Sequence, residues 1–129
     1  STRFLAAVRR TGGEVIGYLK EQRDENPGVY WAWLHVADGA EDRASLGPDL
    51  IAAYLAYKQR WHDPLRVSFD MLGCEEDKAG WLEQCGFALE LRRERMVLWL
   101  GRPEAICTHA WYSKRLKAEL ARRDAAGQD

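Results

Sequence analysis

Residues Val29–Val36 (Val-Tyr-Trp-Ala-Trp-Leu-His-Val) are apolar on both faces of an extended chain, which places that strand inside a sheet and under cover. The next segment narrows the fold further. Asp42 to Leu50 reads Asp-Arg-Ala-Ser-Leu-Gly-Pro-Asp-Leu, a turn of small residues running straight into a helix. Gly47 stands where a helix N-cap belongs and Pro48 suits the first helical position. From Asp49 to Trp61 the apolar residues Leu50, Ile51, Tyr54, Leu55 and Trp61 recur at helical spacing. His62-Asp63-Pro64 ends that helix, and Leu65–Met71 alternates as a strand. A strand, a helix and a second strand in this order predict a parallel pair with a right-handed crossover. The turn itself would present unpaired backbone N–H groups outward, an arrangement that holds a phosphate or pyrophosphate without a lysine.

The flanking segments complete the expected architecture. Thr2–Arg10 reads as a strand, Thr11-Gly12-Gly13 as a turn, and Glu14–Lys20 as a returning strand. Glu21 to Gly28 is polar and ends in Asn-Pro-Gly, a loop signal. Glu75–Cys85 predicts a short helix with Ala79, Trp81 and Leu82 inward and Gly86 as a left-handed C′ residue. Phe87–Leu91 and Arg95–Leu100 read as two strands around the charged turn Arg92-Arg93-Glu94. Gly101-Arg102-Pro103 breaks the chain, and Ala105–Arg123 reads as a terminal helix with a frayed tail. The expected class is α/β: a mixed, mainly antiparallel sheet with one parallel strand–helix–strand unit, residues 1–103 forming the domain and 104–129 the appended helix and tail.

Bulk properties exclude several functions. With 47% hydrophobic and 30% charged residues and a net charge of −1, the chain reads as an ordinary soluble globule. That charge gives no electrostatic case for nucleic acid or an anionic membrane as the main partner. No apolar run approaches the roughly 20 residues of a membrane span, and the N-terminus lacks the pattern of a secretory signal. Cys74, Cys85 and Cys107 form an odd set without a close pair, and His35, His62 and His109 are equally scattered. Neither a disulfide framework nor a metal site is expected, and the setting is read as a reducing cytoplasm.

Four segments together carry a family resemblance. Phe4-Leu5-Ala6-Ala7-Val8 through Gly13-Glu14-Val15-Ile16-Gly17-Tyr18 resembles the second and third strands of the GNAT superfamily of acyl-coenzyme A-dependent N-acetyltransferases. Trp33-Leu34-His35-Val36 with the Ser45-Leu46-Gly47 turn is similar to its fourth strand and pyrophosphate loop. Trp81 to Phe87 looks like its helix ending in Gly-Phe, and Arg95-Met96-Val97-Leu98 like a closing strand. The resemblance spans roughly residues 2–103 and matches the later two-thirds of the family, with no counterpart to its first strand and first two helices.

That resemblance implies a cofactor, acetyl-CoA or another acyl-CoA, lying in a splay between the strands Val29–Val36 and Leu65–Met71. Leu34 and Val36 would pair with the pantetheine through their backbone, and Arg43, Ala44, Ser45, Leu46 and Gly47 would meet the pyrophosphate. Gly47→Asp is then expected to abolish binding. His35 would take a proton from the amine of a small-molecule or protein acceptor, as the side-chain type that titrates near neutral pH. Two departures stand out. Asp42 and Ser45 occupy loop positions where the family has Gln or Arg and Gly. Leu82 stands where many members carry the tyrosine that protonates the leaving thiolate, so a catalytically inactive binding or assembly module is the alternative. In that alternative Trp111, Tyr112 and the terminal helix form a contact surface, for instance in a homodimer. Among other candidates, Trp31 and Trp33 share a sheet face and suit core packing or a channel wall. Asp38, Glu41 and Asp42 read as solvated loop acids, and Cys85 as a small buried apolar residue.

Overall fold

The computed structural model describes residues 2–9 and 12–127. Ser1, the strand end expected at Arg10, Thr11 of the turn, and Gln128 and Asp129 of the tail lie outside the described residues. The element order is β1 (Thr2–Arg9), β2 (Val15–Arg23), β3 (Val29–Val36), α1 (Arg43–Trp61), β4 (Arg66–Leu72), α2 (Glu76–Gln84), β5 (Ala88–Trp99), β6 (Arg102–Tyr112) and α3 (Lys114–Ala125). The strands form a six-stranded sheet in the order β1-β2-β3-β4-β6-β5. Among the described residues only β3 and β4 pair in parallel, and the β1–β2, β2–β3, β4–β6 and β5–β6 pairs are antiparallel. The mixed sheet with a single parallel unit is therefore as the sequence predicts. No described helix is long and apolar enough to cross a membrane.

The register puts Leu19, Tyr30, Ala32, Leu34, Val36, Val67, Phe69, Met71 and Cys107 on one face, where they meet Ile51, Tyr54 and Leu55 of α1 and Trp81 and Leu82 of α2. Both helices cover that face, and the alternate residues Trp31, Trp33 and His35 point to the other. Gly86 adopts φ +87°, the left-handed stop expected after α2.

Three expectations are corrected. The helix foreseen over Ala105–Arg123 begins only at Lys114, capped by the Ser113 hydroxyl, which accepts from the Leu116 N–H at 3.0 Å. The preceding stretch is β6, hydrogen-bonded on both edges to β4 and β5, so the boundary drawn at 103/104 falls inside a strand. Ladders on two sides outweigh weak helical propensity. The two strands foreseen around Arg92-Arg93-Glu94 are one strand, β5, with an irregularity between Arg93 and Val97 where Arg95 takes φ +52°. The reversal comes later, at Leu100 and Gly101, both at positive φ, as a tight two-residue hairpin turn requires. The loop expected to begin at Glu21 begins only after Arg23, because Glu21 continues β2 opposite Ala32 and is fully buried.

His109 of β6 is buried, with no hydrogen-bond partner for Nδ1 among the described residues. Burial lowers its pKa, and Glu83 on α2 opposes that shift. Because the unfolded chain then binds the proton more readily, stability is full above about pH 6.5 and falls on acidification below it. The melting temperature of His109→Gln is expected to fall less between pH 7 and pH 5 than that of the parent. Parallel curves would exclude His109 as the source.

Candidate functional site

β3 and β4 pair from Val29↔Arg66 to Ala32↔Phe69 and then part, although β3 continues to Val36 and β4 to Leu72. Their outer neighbours stay attached, with Gly17↔Val36 on one side and Leu72↔Ile106 on the other. The opening is thus a gap between two central strands, not a frayed edge. In an extended strand the N–H and C=O of one residue face the same edge and alternate along the chain. The Leu34 carbonyl accepts from Lys78 Nζ at 2.8 Å and the Val36 carbonyl from Arg43 Nε at 3.3 Å, so both residues turn their backbone toward the helix-lined gap.

A cleft of about 620 Å³ opens here, lined by Tyr18, Lys20, Trp33, Leu34, His35, Val36, Asp38, Arg43, Leu72, Cys74, Glu75, Glu76, Asp77, Lys78 and Trp99. His35 is exposed on its wall, and its ring lies 5.2 Å from that of Tyr18, centroid to centroid. The inner end of the gap is nearly full. A residual space of about 10 Å³ remains between Leu34, Phe69, Asp70, Met71, Lys78 and Leu82, no more than one water's worth. Leu82 is itself buried, so no hydroxyl stands at the place where the resemblance puts an acid.

The pyrophosphate segment differs from expectation. α1 starts at Arg43 with Asp42 as N-cap, five residues before the first helical position expected at Pro48, which lies inside the helix. The Ser45 and Leu46 amides already bond to the Asp42 carbonyl at 3.1 and 2.8 Å, and the Ser45 hydroxyl bonds to the same oxygen at 3.0 Å. Arg43 to Gly47 is thus the first part of a helix rather than a separate loop. Gly47 is buried against α2: a Cβ there would lie 2.3–2.6 Å from ring atoms of Trp81. Its glycine is required by helix–helix contact. The Arg43 amide likewise bonds to the Ala40 carbonyl at 3.2 Å, which leaves the Ala44 amide at the helix start.

Arg43 is held tightly. Its guanidinium stacks 4.7 Å from the Trp81 ring centre, pairs with Asp77, and lies 3.6 Å from Asp38. The cleft's carboxylates (Asp38, Glu75, Glu76, Asp77) therefore face Lys20, Arg43 and Lys78. Sequence reading missed Lys78, Glu75 and Asp77. Lys78 lies one helical turn before Leu82, so the spacing that brings Leu82 to the site also brings Lys78.

Other candidates settle elsewhere. Trp31 sits half-buried on the face opposite the helices, donating from Nε1 to Asp24 at 3.0 Å. Cys85 Sγ lies 3.5 Å from the Pro48 carbonyl, and burial, followed by Asp49, raises its thiol pKa. Trp111 packs against the core, and Tyr112, which lies on β6 and not on the terminal helix, bonds to Glu90 of β5 and Arg66 of β4.

No protein-family model matches this chain, and no curated protein matches it. Solved structures do. A variant of the spermidine N-acetyltransferase SpeG of Vibrio cholerae superposes with a TM-score of 0.68 at 15% identity, over 82% of this chain and 63% of that one. The protein smu.2055 of Streptococcus mutans gives 0.69 at 19% identity, over 86% and 70%. The ribosomal-protein-S5-alanine acetyltransferase of Vibrio fischeri gives 0.66 at 10%, over 80% and 57%. The chain spans between 57% and 70% of the length of these three structures. At such identities the likeness establishes the fold: this chain has the GNAT acetyltransferase fold, with β3, β4 and α1 forming its splayed unit.

Proposed function

We propose that this chain is an acyl-CoA-dependent N-acyltransferase. The single observation that carries the reading is the parting of β3 and β4 beyond Ala32 and Phe69, beside the start of α1. A pantetheine arm entering that gap finds backbone groups at Leu34 and Val36 with no strand partner on that edge. The pyrophosphate meets the Arg43 and Ala44 end of α1, where the helix dipole favours negative charge. Arg43 exchanges Asp77 for a phosphate oxygen in a charge-assisted contact. Ser45, Leu46 and Gly47 contribute through the helix they form.

An N–H from the outer half of β3 polarises the thioester carbonyl as charge develops on its oxygen. The acceptor amine, from a small molecule or a protein, approaches along the exposed wall and gives its proton to His35 or to water there. The C–S bond breaks as the C–N bond forms, and water protonates the departing thiolate because Leu82 has no hydroxyl. Acetyl-CoA is the expected donor, in the cytoplasm.

A second reading is a binding module of the same fold without catalysis. Lys78 on the Leu34 carbonyl and the nearly filled inner gap favour it. Coenzyme A separates the two. A cofactor at roughly a hundredfold excess over its Kd stabilises the fold by about 2.7 kcal/mol, several degrees in Tm. With that shift observed, thiol release from acetyl-CoA across a panel of amines tests catalysis. An unchanged Tm at millimolar coenzyme A overturns the acyltransferase reading.

A further inference from the structure

Lys78 spans the opening. From the start of α2 its Nζ donates to the Leu34 carbonyl of β3 at 2.8 Å and pairs with Glu75. Glu75 in turn accepts from the Leu72 N–H, at the end of β4, at 2.9 Å. The ammonium is therefore tied to both diverging strands, with its side chain only 11% exposed. It lies in the gap itself, whereas Lys114 and Lys117 stand exposed on α3.

We infer that Lys78 is itself an acyl acceptor: with an acyl-CoA bound in the gap, its Nζ takes the acyl group. The inference rests on the acyl-CoA reading above. A thioester laid along β3 at Leu34 displaces the ammonium from that carbonyl, and the four-carbon stem keeps the nitrogen close by. Reaction needs an approach of about 3–3.5 Å, which a tethered amine reaches without the entropy cost of a second molecule. The ammonium gives one proton to Glu75 or water, and the free amine attacks the thioester carbon. The N–C bond forms, the C–S bond breaks, and coenzyme A leaves as thiolate and takes up a proton. The product is a neutral amide that no longer pairs with Glu75.

The test incubates the whole chain with isotopically labelled acetyl-CoA and follows each lysine by peptide mass mapping over time. The expected result is labelling of Lys78 on the order of tenfold or more faster than Lys114 or Lys117, lost when the chain is unfolded in urea. In Lys78→Arg the fast-labelled peptide should disappear. Labelling at one common rate on all three, or equal labelling in urea, overturns the inference as plain chemical acetylation. A Tm shift with coenzyme A but an unmodified Lys78 overturns it while leaving the cofactor site standing. No Tm shift and no label overturns both.

Discussion

Replacing Lys58 by Met is expected to cost about 3–5 kcal/mol of folding stability, read as a lower urea midpoint at neutral pH with an unchanged slope. Lys58 and Glu21 are fully buried and paired with each other between α1 and the sheet. The Tyr54 hydroxyl donates to the same carboxylate at 2.7 Å, and the ammonium lies 3.8 Å from the centre of the Tyr30 ring. Removing the cation leaves Glu21 as a buried carboxylate without its counter-charge, which is the costly event. A domain of this kind holds a total of only about 5–15 kcal/mol. The partner experiment separates that penalty from the worth of the pair. Glu21→Leu, Tyr54→Phe and Lys58→Met together should recover most of the loss, since an apolar replacement carries no desolvation cost. A triple variant as unstable as Lys58→Met alone would mean that the network contributes net stability.

This network also marks the limit of what the sequence discloses. Glu21 opens a polar run that ends in Asn-Pro-Gly, and local composition cannot distinguish a buried acid from a solvated one. Its partner lies on a helix remote in sequence. Lys58 follows Tyr54 by one helical turn and Ile51 by two, so the apolar stripe that was legible already contained the cation. Trp61, counted in that stripe, is 64% exposed at the helix end. β6 was misread for a related reason. Ala105 to Ala110 (Ala-Ile-Cys-Thr-His-Ala) shows no polar–apolar alternation, and 107–110 are all buried, so no period of two marks the run as a strand. Only its position between two antiparallel partners decides its state. The strand–helix–strand unit and the Gly86 stop were legible because each follows from local periodicity or a single turn residue. Lys78, Glu75 and Asp77 were not, since a charged first turn of a helix reads as solvated until the opposing strand is placed.

Gly47→Ala is expected to destabilise the fold by about 1–3 kcal/mol or more, because the new methyl carbon would stand 2.3 Å from Trp81 Cε3. Trp81 is 5% exposed and packed within the core, so its ring cannot swing out without opening the contact between α1 and α2. In a Trp81→Leu background the same substitution should cost much less. An equal penalty there would place the strain in the backbone of α1 and not at the ring. The consequence for the cofactor reading is direct. Gly47→Asp loses coenzyme A through damage to packing, whatever the segment binds, and so cannot report on a phosphate. Ser45 can. It is exposed in the first turn of α1, where a carboxylate favours the helix by about 0.3–1 kcal/mol. Ser45→Asp should therefore keep or raise the Tm of the free protein while removing most of the Tm shift with coenzyme A. A free-protein Tm that holds, together with an undiminished shift, would move the pyrophosphate away from the start of α1.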